Sequence, residues 1–126
     1  MNMKYFNYKQ YNLKDLITYK EKTKLSVGLC LPIYNEAKTI VKTIQVVKKC
    51  GNLIDEIIAI DSGSSDGSIE ICKKLNIKTI TDKQSARDIN ISLQSGKGWN
   101  LWASLYYLNT DIIFWIDTDI QNIGEQ

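Results

Sequence analysis

The sequence has 126 residues, of which 44% are hydrophobic and 24% are charged, and its formal net charge is +2. This length and composition are typical of a single globular domain with one core, and they exclude a disordered or collagen-like chain. No apolar run approaches the roughly 18 residues of a membrane span, and no secretory signal opens the sequence. The chain has no histidine, which excludes a histidine triad, base or zinc ligand within it.

The first segment, residues 1–24, is basic and polar. It contains six lysines and two acidic residues, with a short helical pattern around Leu13, Leu16 and Ile17. A basic arm of this kind is usually a solvated segment, and no other feature favours nucleic acid, so we predict no nucleic-acid partner. We therefore divide the chain into an arm, residues 1–24, and a folded domain, residues 25–126.

From residue 25 onward, apolar strands alternate with amphipathic helices. The predicted strands are residues 25–31, 54–61, 77–80 and 111–116, because each is a short apolar run bounded by polar or turn residues. Such an alternation predicts βαβ units and a parallel sheet.

The helices between these strands are predicted from apolar residues at three- and four-residue spacing. Asn35 is expected to cap the first helix, and Ser65 or Asp66 the second. Residues 82–96 are predicted as a loop with room for a short helix. The inward-facing residues would be Ile40, Val41, Ile44 and Val47 in the first helix, Ile69, Cys72 and Leu75 in the second, and Leu101, Leu105 and Leu108 in the last.

The three cysteines are Cys30, Cys50 and Cys72. Their number is odd, they form no C-x-x-C motif, and their neighbours are apolar. Free thiols in a reducing cytoplasm are the expected state, so we predict a cytoplasmic protein.

Polar clusters follow three of the predicted strands. Ligands of parallel sheets bind beyond the carboxyl ends of the strands, so these clusters should converge on one site. The clusters are Pro32, Ile33, Tyr34, Asn35 and Glu36 after the first strand, Asp61 and Ser62 after the second, and Asp117, Thr118 and Asp119 after the fourth.

The last cluster has the donor set of a divalent metal site. Asp117 and Asp119 are two positions apart at the end of a strand and so share a face, where two carboxylates repel unless a cation lies between them. Hard oxygen ligands suit Mg²⁺ or Mn²⁺, which also bind diphosphate oxygens. The alternative is a pair of aspartates that caps a turn.

Lys97 lies between Gly96 and Gly98, where the backbone can approach a ligand and the ammonium can meet a phosphate. A solvated lysine in a flexible loop is the alternative. The sequence has neither G-x-G-x-x-G after its first strand nor a P-loop motif, which disfavours dinucleotide and P-loop sites. A metal and Lys97 would then meet the phosphate charge, as in a nucleotide-diphosphate-sugar site.

Residues 32–36, 61–66 and 117–119 together resemble the nucleotide-binding half of GT-A glycosyltransferases of the family-2 type. With the Gly-Lys-Gly segment and the Trp-containing helix after it, residues 13–122 are similar to the glucosyl-3-phosphoglycerate synthase family. The resemblance implies an α/β, Rossmann-like GT-A fold with a mostly parallel sheet. It also implies transfer of glucose from a nucleotide-glucose donor such as UDP-glucose to 3-phosphoglycerate or a similar small acceptor, with Mg²⁺ or Mn²⁺.

The same resemblance implies roles for individual residues. The loop from Pro32 to Glu36 would hold uracil and ribose, Ser62 would lie beside the nucleotide, and Lys97 would meet the diphosphate. Asp117 and Asp119 would hold the ribose and the metal, with Asp119 the firmer metal ligand. The residues that carry out catalysis are not identified by this pattern.

Family members continue into an acceptor-binding region that also supplies a histidine metal ligand, whereas here seven residues follow Asp119. We therefore expect donor binding without the acceptor region, and an apolar edge that favours a homo-oligomer. The alternative function is a non-catalytic nucleotide-diphosphate-sugar-binding module, or a truncated family member that acts with another chain. A sugar nucleotidyltransferase is disfavoured, because no Gly-rich basic loop follows the first strand.

Overall fold

The computed structural model describes residues 7–123. The strands are β1 (Val27–Ile33), β2 (Glu56–Asp61), β3 (Lys78–Thr81) and β4 (Ile112–Trp115). The helices are α1 (Leu13–Thr23), α2 (Ile40–Lys48), α3 (Ser68–Lys74), α4 (Asp82–Ile89) and α5 (Lys97–Tyr107), with 3-10 turns at Tyr8–Gln10 and Gly51–Leu53. All four predicted strands are therefore present, within two residues of their predicted starts and ends.

The four strands form one sheet in the order β3-β2-β1-β4, and every neighbouring pair is parallel. In the register, Leu31 pairs with Ala59 and Leu29 pairs with Phe114. β1 is central and buried along its whole length, which explains its nearly continuous apolar sequence. Because all strands run the same way, their carboxyl ends lie along one edge.

Helices cover both faces of the sheet. On one face, α2 and α3 pack Ile40, Ile44 and Cys72 against β1 and β2. On the other face, α5 packs Trp99 and Ala103 against them, together with α4. The fold is thus a three-layer α/β structure, as the alternating pattern predicts.

The inward face of α5 differs from the prediction. Leu105 is 54% exposed and Leu101 is half-buried, whereas Leu108 is buried beyond the end of the helix. Polar contacts set the rotation of this helix: Trp99 Nε1 donates to Ser85 Oγ (2.9 Å). The spacing of the leucines therefore predicted the wrong buried face for this helix. The residues of α5 that are buried are Trp99, Asn100, Ala103 and Ser104.

The helix starts also differ from the predictions. α2 begins at Ile40 after Thr39, four residues beyond the expected start, so Asn35 does not cap it. Gly67 holds the N-cap position of α3, although Asp66 Oδ1 accepts a hydrogen bond from Ser68 N (3.1 Å). The side chains of Asn35 and Asp66 serve contacts between loops, which are described below.

The segment 82–96 contains the short helix that the sequence pattern allowed, since α4 fills its first half. Thr81 caps this helix by accepting from Gln84 N (3.1 Å). Among the tryptophans, Trp99 packs in the core, whereas Trp102 and Trp115 are 47% and 43% exposed.

The cysteines are free thiols in the structure, two buried and one half-buried. Burial raises the pKa of Cys30 to about 12 and that of Cys72 to about 11. Both are therefore neutral, unreactive core groups at ordinary pH. Along residues 7–123, no helix has the length and apolar character that crossing a membrane requires.

Candidate functional site

A cleft of about 110 Å³ lies at the carboxyl edge of the sheet, between the loops that follow β1, β2 and β4. The three polar clusters predicted from the sequence meet there. The residues that line it are Pro32, Ile33, Tyr34, Glu36, Ser62, Lys97, Asn100, Asp117, Thr118 and Asp119.

Three residues of the predicted site, Asn35, Asp61 and Gly96, do not line this cleft. Asp61 is 1% exposed, and its Oδ2 accepts hydrogen bonds from the backbone of Gly63 (2.8 Å) and Ser64 (3.0 Å). Gly96 precedes α5 with φ of 98°, a conformation that favours glycine. These residues therefore shape the loops around the cleft and do not line it.

The loop after β1 is joined to the loop after β2 by side chains from both. Asn35 has φ of 55°, which amide side chains tolerate better than most, and it lies at this junction. The joining hydrogen bonds run from Asn35 N to Ser64 Oγ (2.8 Å), from Ser65 N to Asn35 Oδ1 (2.9 Å), from Glu36 N to Ser68 Oγ (2.8 Å) and from Ala37 N to Asp66 Oδ2 (2.8 Å).

The loop after β4 is held by a buried hydroxyl and carries the charged groups. Thr118 is 3% exposed and its Oγ1 donates to the carbonyl of Pro32 (3.0 Å), which ties this loop to the end of β1. Lys97 Nζ lies 2.5 Å from Asp117 Oδ1, and both side chains are about half exposed. Asp119 is exposed at the same rim.

The acidic pair suits a divalent cation by the chemistry of its donors, since carboxylate oxygens are the ligands that Mg²⁺ and Mn²⁺ prefer. Along residues 7–123, no group of three or more His, Cys, Asp or Glu side chains is placed to hold a metal ion. Mg²⁺ is usually bound by one or two protein carboxylates, with water and phosphate oxygens in the remaining coordination positions. The residues present therefore fit a cation that is shared with a diphosphate.

Asn100 is a cleft residue that sequence reasoning missed. It is 1% exposed, and its Nδ2 donates to the carbonyl of Ile60 (2.8 Å). A signal was present in the sequence, because Asn100 follows Lys97 by three residues and so lies on the same side of the helix. A buried amide at that position needs hydrogen-bond partners.

Comparison with known proteins identifies the family. The family model described as glycosyl transferase family 2 matches residues 29–125. The chain belongs to glycosyl transferase family 2. The resemblance drawn from the motifs after the strands is thereby confirmed at the level of the family.

Relatives within this family carry a more particular name. Over 116 residues the chain is 41% identical to the glucosyl-3-phosphoglycerate synthase of Petrotoga mobilis, covering 89% of this chain and 35% of the relative. The chain therefore spans about a third of that relative's length.

Solved structures give the same result. A crystal structure of the Mycobacterium tuberculosis glucosyl-3-phosphoglycerate synthase with Mn²⁺, UDP and glucosyl-3-phosphoglycerate is 27% identical with a TM-score of 0.82, covering 94% of this chain and 41% of that one. A second structure of that enzyme, with Mn²⁺, UDP-glucose and phosphoglyceric acid, is 28% identical with a TM-score of 0.79, covering 89% and 39%. The GT-A, Rossmann-like fold is confirmed.

Proposed function

We propose that this family-2 chain binds a nucleotide-sugar donor, UDP-glucose, in the cleft together with Mg²⁺ or Mn²⁺. One observation carries the proposal: Lys97, Asp117 and Asp119 share a single cleft with the apolar wall of Pro32 and Ile33. A nucleoside diphosphate needs an apolar wall for its base and both a cation and an ammonium for its phosphates. The Mycobacterium tuberculosis relative was solved with Mn²⁺ and UDP-glucose, which supports this choice.

Different residues of the cleft would contact different parts of the nucleotide. Pro32, Ile33 and the 61% exposed Tyr34 would flank the base, and Glu36 has a carboxylate that can accept from a ribose hydroxyl. Ser62 would lie beside the nucleotide. Pro32 and Ile33 end β1, and Tyr34, Glu36 and Ser62 belong to the two loops that hydrogen bonds join, so the base would enter a wall whose shape is already set.

The charged groups would meet the diphosphate. Lys97 is held at the rim by Asp117 and can exchange that carboxylate for a phosphate oxygen. Asp119 would then be the firmer ligand of the cation, with Asp117 binding the ribose or the metal. When bound, the cation supplies positive charge for the departing diphosphate.

The proposal also names an acceptor for the transferred glucose. The relatives are named for glucosyl transfer to 3-phosphoglycerate, so we propose that acceptor for the protein to which this chain corresponds. A non-catalytic donor-binding module is the second candidate, because the described cleft holds donor-type groups. A cytoplasmic location, predicted from the cysteines, belongs to the same proposal.

Calorimetric titration of UDP tests the donor site. We expect Mg²⁺ or Mn²⁺ to raise UDP affinity about tenfold or more, because each charge-assisted contact contributes about 1.5–3 kcal/mol. Asp119→Ala should abolish the gain from metal while leaving metal-free affinity unchanged. The control is Glu70→Ala, an exposed carboxylate on α3 away from the cleft, which should keep the full gain. A UDP affinity that changes neither on addition of the metal nor in Asp119→Ala would contradict the metal site.

Turnover separates the two candidate functions. The protein is incubated with UDP-glucose, Mg²⁺ and 3-phosphoglycerate, and the released UDP is measured. Release that depends on 3-phosphoglycerate supports the transferase. Tight donor binding without such release supports the binding module.

A further inference from the structure

The segment that leads to Lys97 has little structure of its own. Residues 91–95 are exposed and belong to neither a helix nor a strand, and Lys97 begins α5 between Gly96 and Gly98. Glycine restricts the backbone least, so the Gly-Lys-Gly sequence by itself leaves the lysine free to move. Contacts from another part of the fold must therefore hold the start of α5 in place.

The first turn of α4 holds this segment on the side that precedes Lys97. Ser95 Oγ donates to Asp82 Oδ2 (3.1 Å), two residues before the lysine. Asp82 is 6% exposed, and its Oδ1 accepts from Lys83 N (2.7 Å), which fixes the orientation of the carboxylate. Buried carboxylates need such partners for their oxygens, so the Ser95 hydroxyl meets an acceptor whose position is set.

The same turn of α4 also holds the residues that follow Lys97. Ser85 is fully buried; its Oγ donates to the carbonyl of Asp82 (2.8 Å) and accepts from Trp99 Nε1 (2.9 Å). Ser95 and Trp99 lie two residues on either side of Lys97. Two side-chain hydrogen bonds to one turn of α4 therefore bracket the lysine, and Asp82 takes part in both connections.

We propose that Asp82 and Ser95 are positioning residues that set Lys97 in place for the diphosphate of the donor. This inference rests on the proposed nucleotide site and adds the residues through which its ammonium is placed. Neither residue lines the cleft, so both act through Lys97. A lysine whose backbone is already in place loses less conformational entropy when the diphosphate binds, and affinity rises accordingly.

Calorimetry with UDP and with uridine, metal being present, tests the proposal. Ser95→Ala removes the hydroxyl of an exposed residue, and we expect it to weaken UDP binding about threefold to tenfold and to change uridine binding less than about twofold. Ser95→Thr keeps the hydroxyl and should restore UDP affinity.

Asp88→Ala is the matched control. Asp88 Oδ2 accepts from Tyr107 Oη (2.6 Å), so this carboxylate joins the same two helices at the last residue of α5, the end opposite to Lys97. The variant should leave UDP affinity unchanged. A loss in Asp88→Ala equal to that in Ser95→Ala would mean that any loosening of α4 from α5 has this effect, and would overturn the positioning role.

A double-mutant cycle identifies the route of the effect. If Ser95 acts through Lys97, Ser95→Ala should cause a further loss of less than about twofold once Lys97→Ala is present. Asp82→Ala should behave in the same way. If circular dichroism shows that Asp82→Ala does not fold, the exposed Ser95 decides. A full additional loss in the Lys97→Ala background, or an equal loss for uridine, would overturn the proposal.

The outcomes are distinct from those of the proposed nucleotide site. Absence of UDP binding to the unaltered chain, or a UDP affinity that Lys97→Ala leaves unchanged, overturns both the phosphate-binding role of Lys97 and this inference. A loss of UDP affinity in Lys97→Ala with none in Ser95→Ala overturns only the positioning role of Asp82 and Ser95.

Discussion

At the scale of single residues, we propose that Lys97 exchanges its carboxylate partner for a phosphate when a nucleotide fills the cleft. Its contact with Asp117 joins two side chains that are 58% and 47% exposed, and such surface pairs contribute only about 0–1 kcal/mol to stability. The ammonium can therefore leave the carboxylate at little cost. A diphosphate offers more acceptor oxygens and more negative charge than one carboxylate.

We predict that Lys97→Ala weakens UDP binding about tenfold to a hundredfold, from the loss of one charge-assisted contact. Uridine, which has no phosphate, should bind the variant nearly as well as the unaltered chain. Calorimetry with both ligands gives the comparison, and Lys74→Ala, an exposed lysine at the end of α3, is the control. Equal losses for UDP and uridine would assign Lys97 to the structure of its loop.

At the scale of elements, the start of α3 is built into the loop that follows β1. Ser68 is fully buried; its Oγ accepts from Glu36 N and donates to Asp66 Oδ1. That hydrogen bond, followed by the one from Ala37 N, holds the pKa of the Asp66 carboxyl below its usual range. A lowered pKa contributes stability that is present above the pKa of the unfolded chain and is lost as the pH falls through the pKa of the folded one.

We predict that Ser68→Ala lowers the free energy of unfolding by about 1–3 kcal/mol, because the Glu36 N–H loses its acceptor in a partly buried place. UDP affinity should fall as well, since Glu36 lines the cleft. Ser65→Ala is the matched control: Ser65 joins the network through its backbone, so we expect a change within about 0.5 kcal/mol. Urea unfolding measures both variants, and equal stability of the two would refute the role of Ser68.

At the scale of the whole molecule, β4 forms one side of the sheet. It pairs with β1, and within residues 7–123 no strand pairs with its outer edge. Ile112 and Trp115 on this strand are 45% and 43% exposed. An apolar edge with unpaired backbone groups is a template for another strand, and a second copy of β4 presents the complementary groups.

We predict that the 126-residue chain self-associates through β4, in keeping with the homo-oligomer expected from the sequence. Ile112→Lys should shift sedimentation velocity profiles toward the monomer, since a lysine on an edge strand opposes pairing. Ile91→Lys alters a side chain of similar exposure, 46%, in the segment after α4 and should leave association unchanged. If the unaltered chain is a monomer at every concentration, self-association through β4 is contradicted.

Local sequence patterns were sufficient to establish the strands, their parallel arrangement and the family. Short apolar runs report burial directly, so the burial of β1 could be predicted from its apolar residues. Parallel strands end at one edge, which is why clusters far apart in the chain, such as Pro32 and Asp117, could be assigned to one cleft from the sequence pattern alone. These conclusions need only local patterns and one topological rule.

The partner that each polar side chain takes depended instead on tertiary contacts. Asn35 has the local sequence context of a helix cap, but its backbone N donates to Ser64 Oγ and its Oδ1 accepts from Ser65 N, both in another loop. The buried face of α5 follows Asn100 rather than its leucines, because a buried amide must find an acceptor and Ile60 supplies it. Hydrogen bonds are short-ranged and directional, so their partners are chosen in space, and sequence spacing does not contain that information.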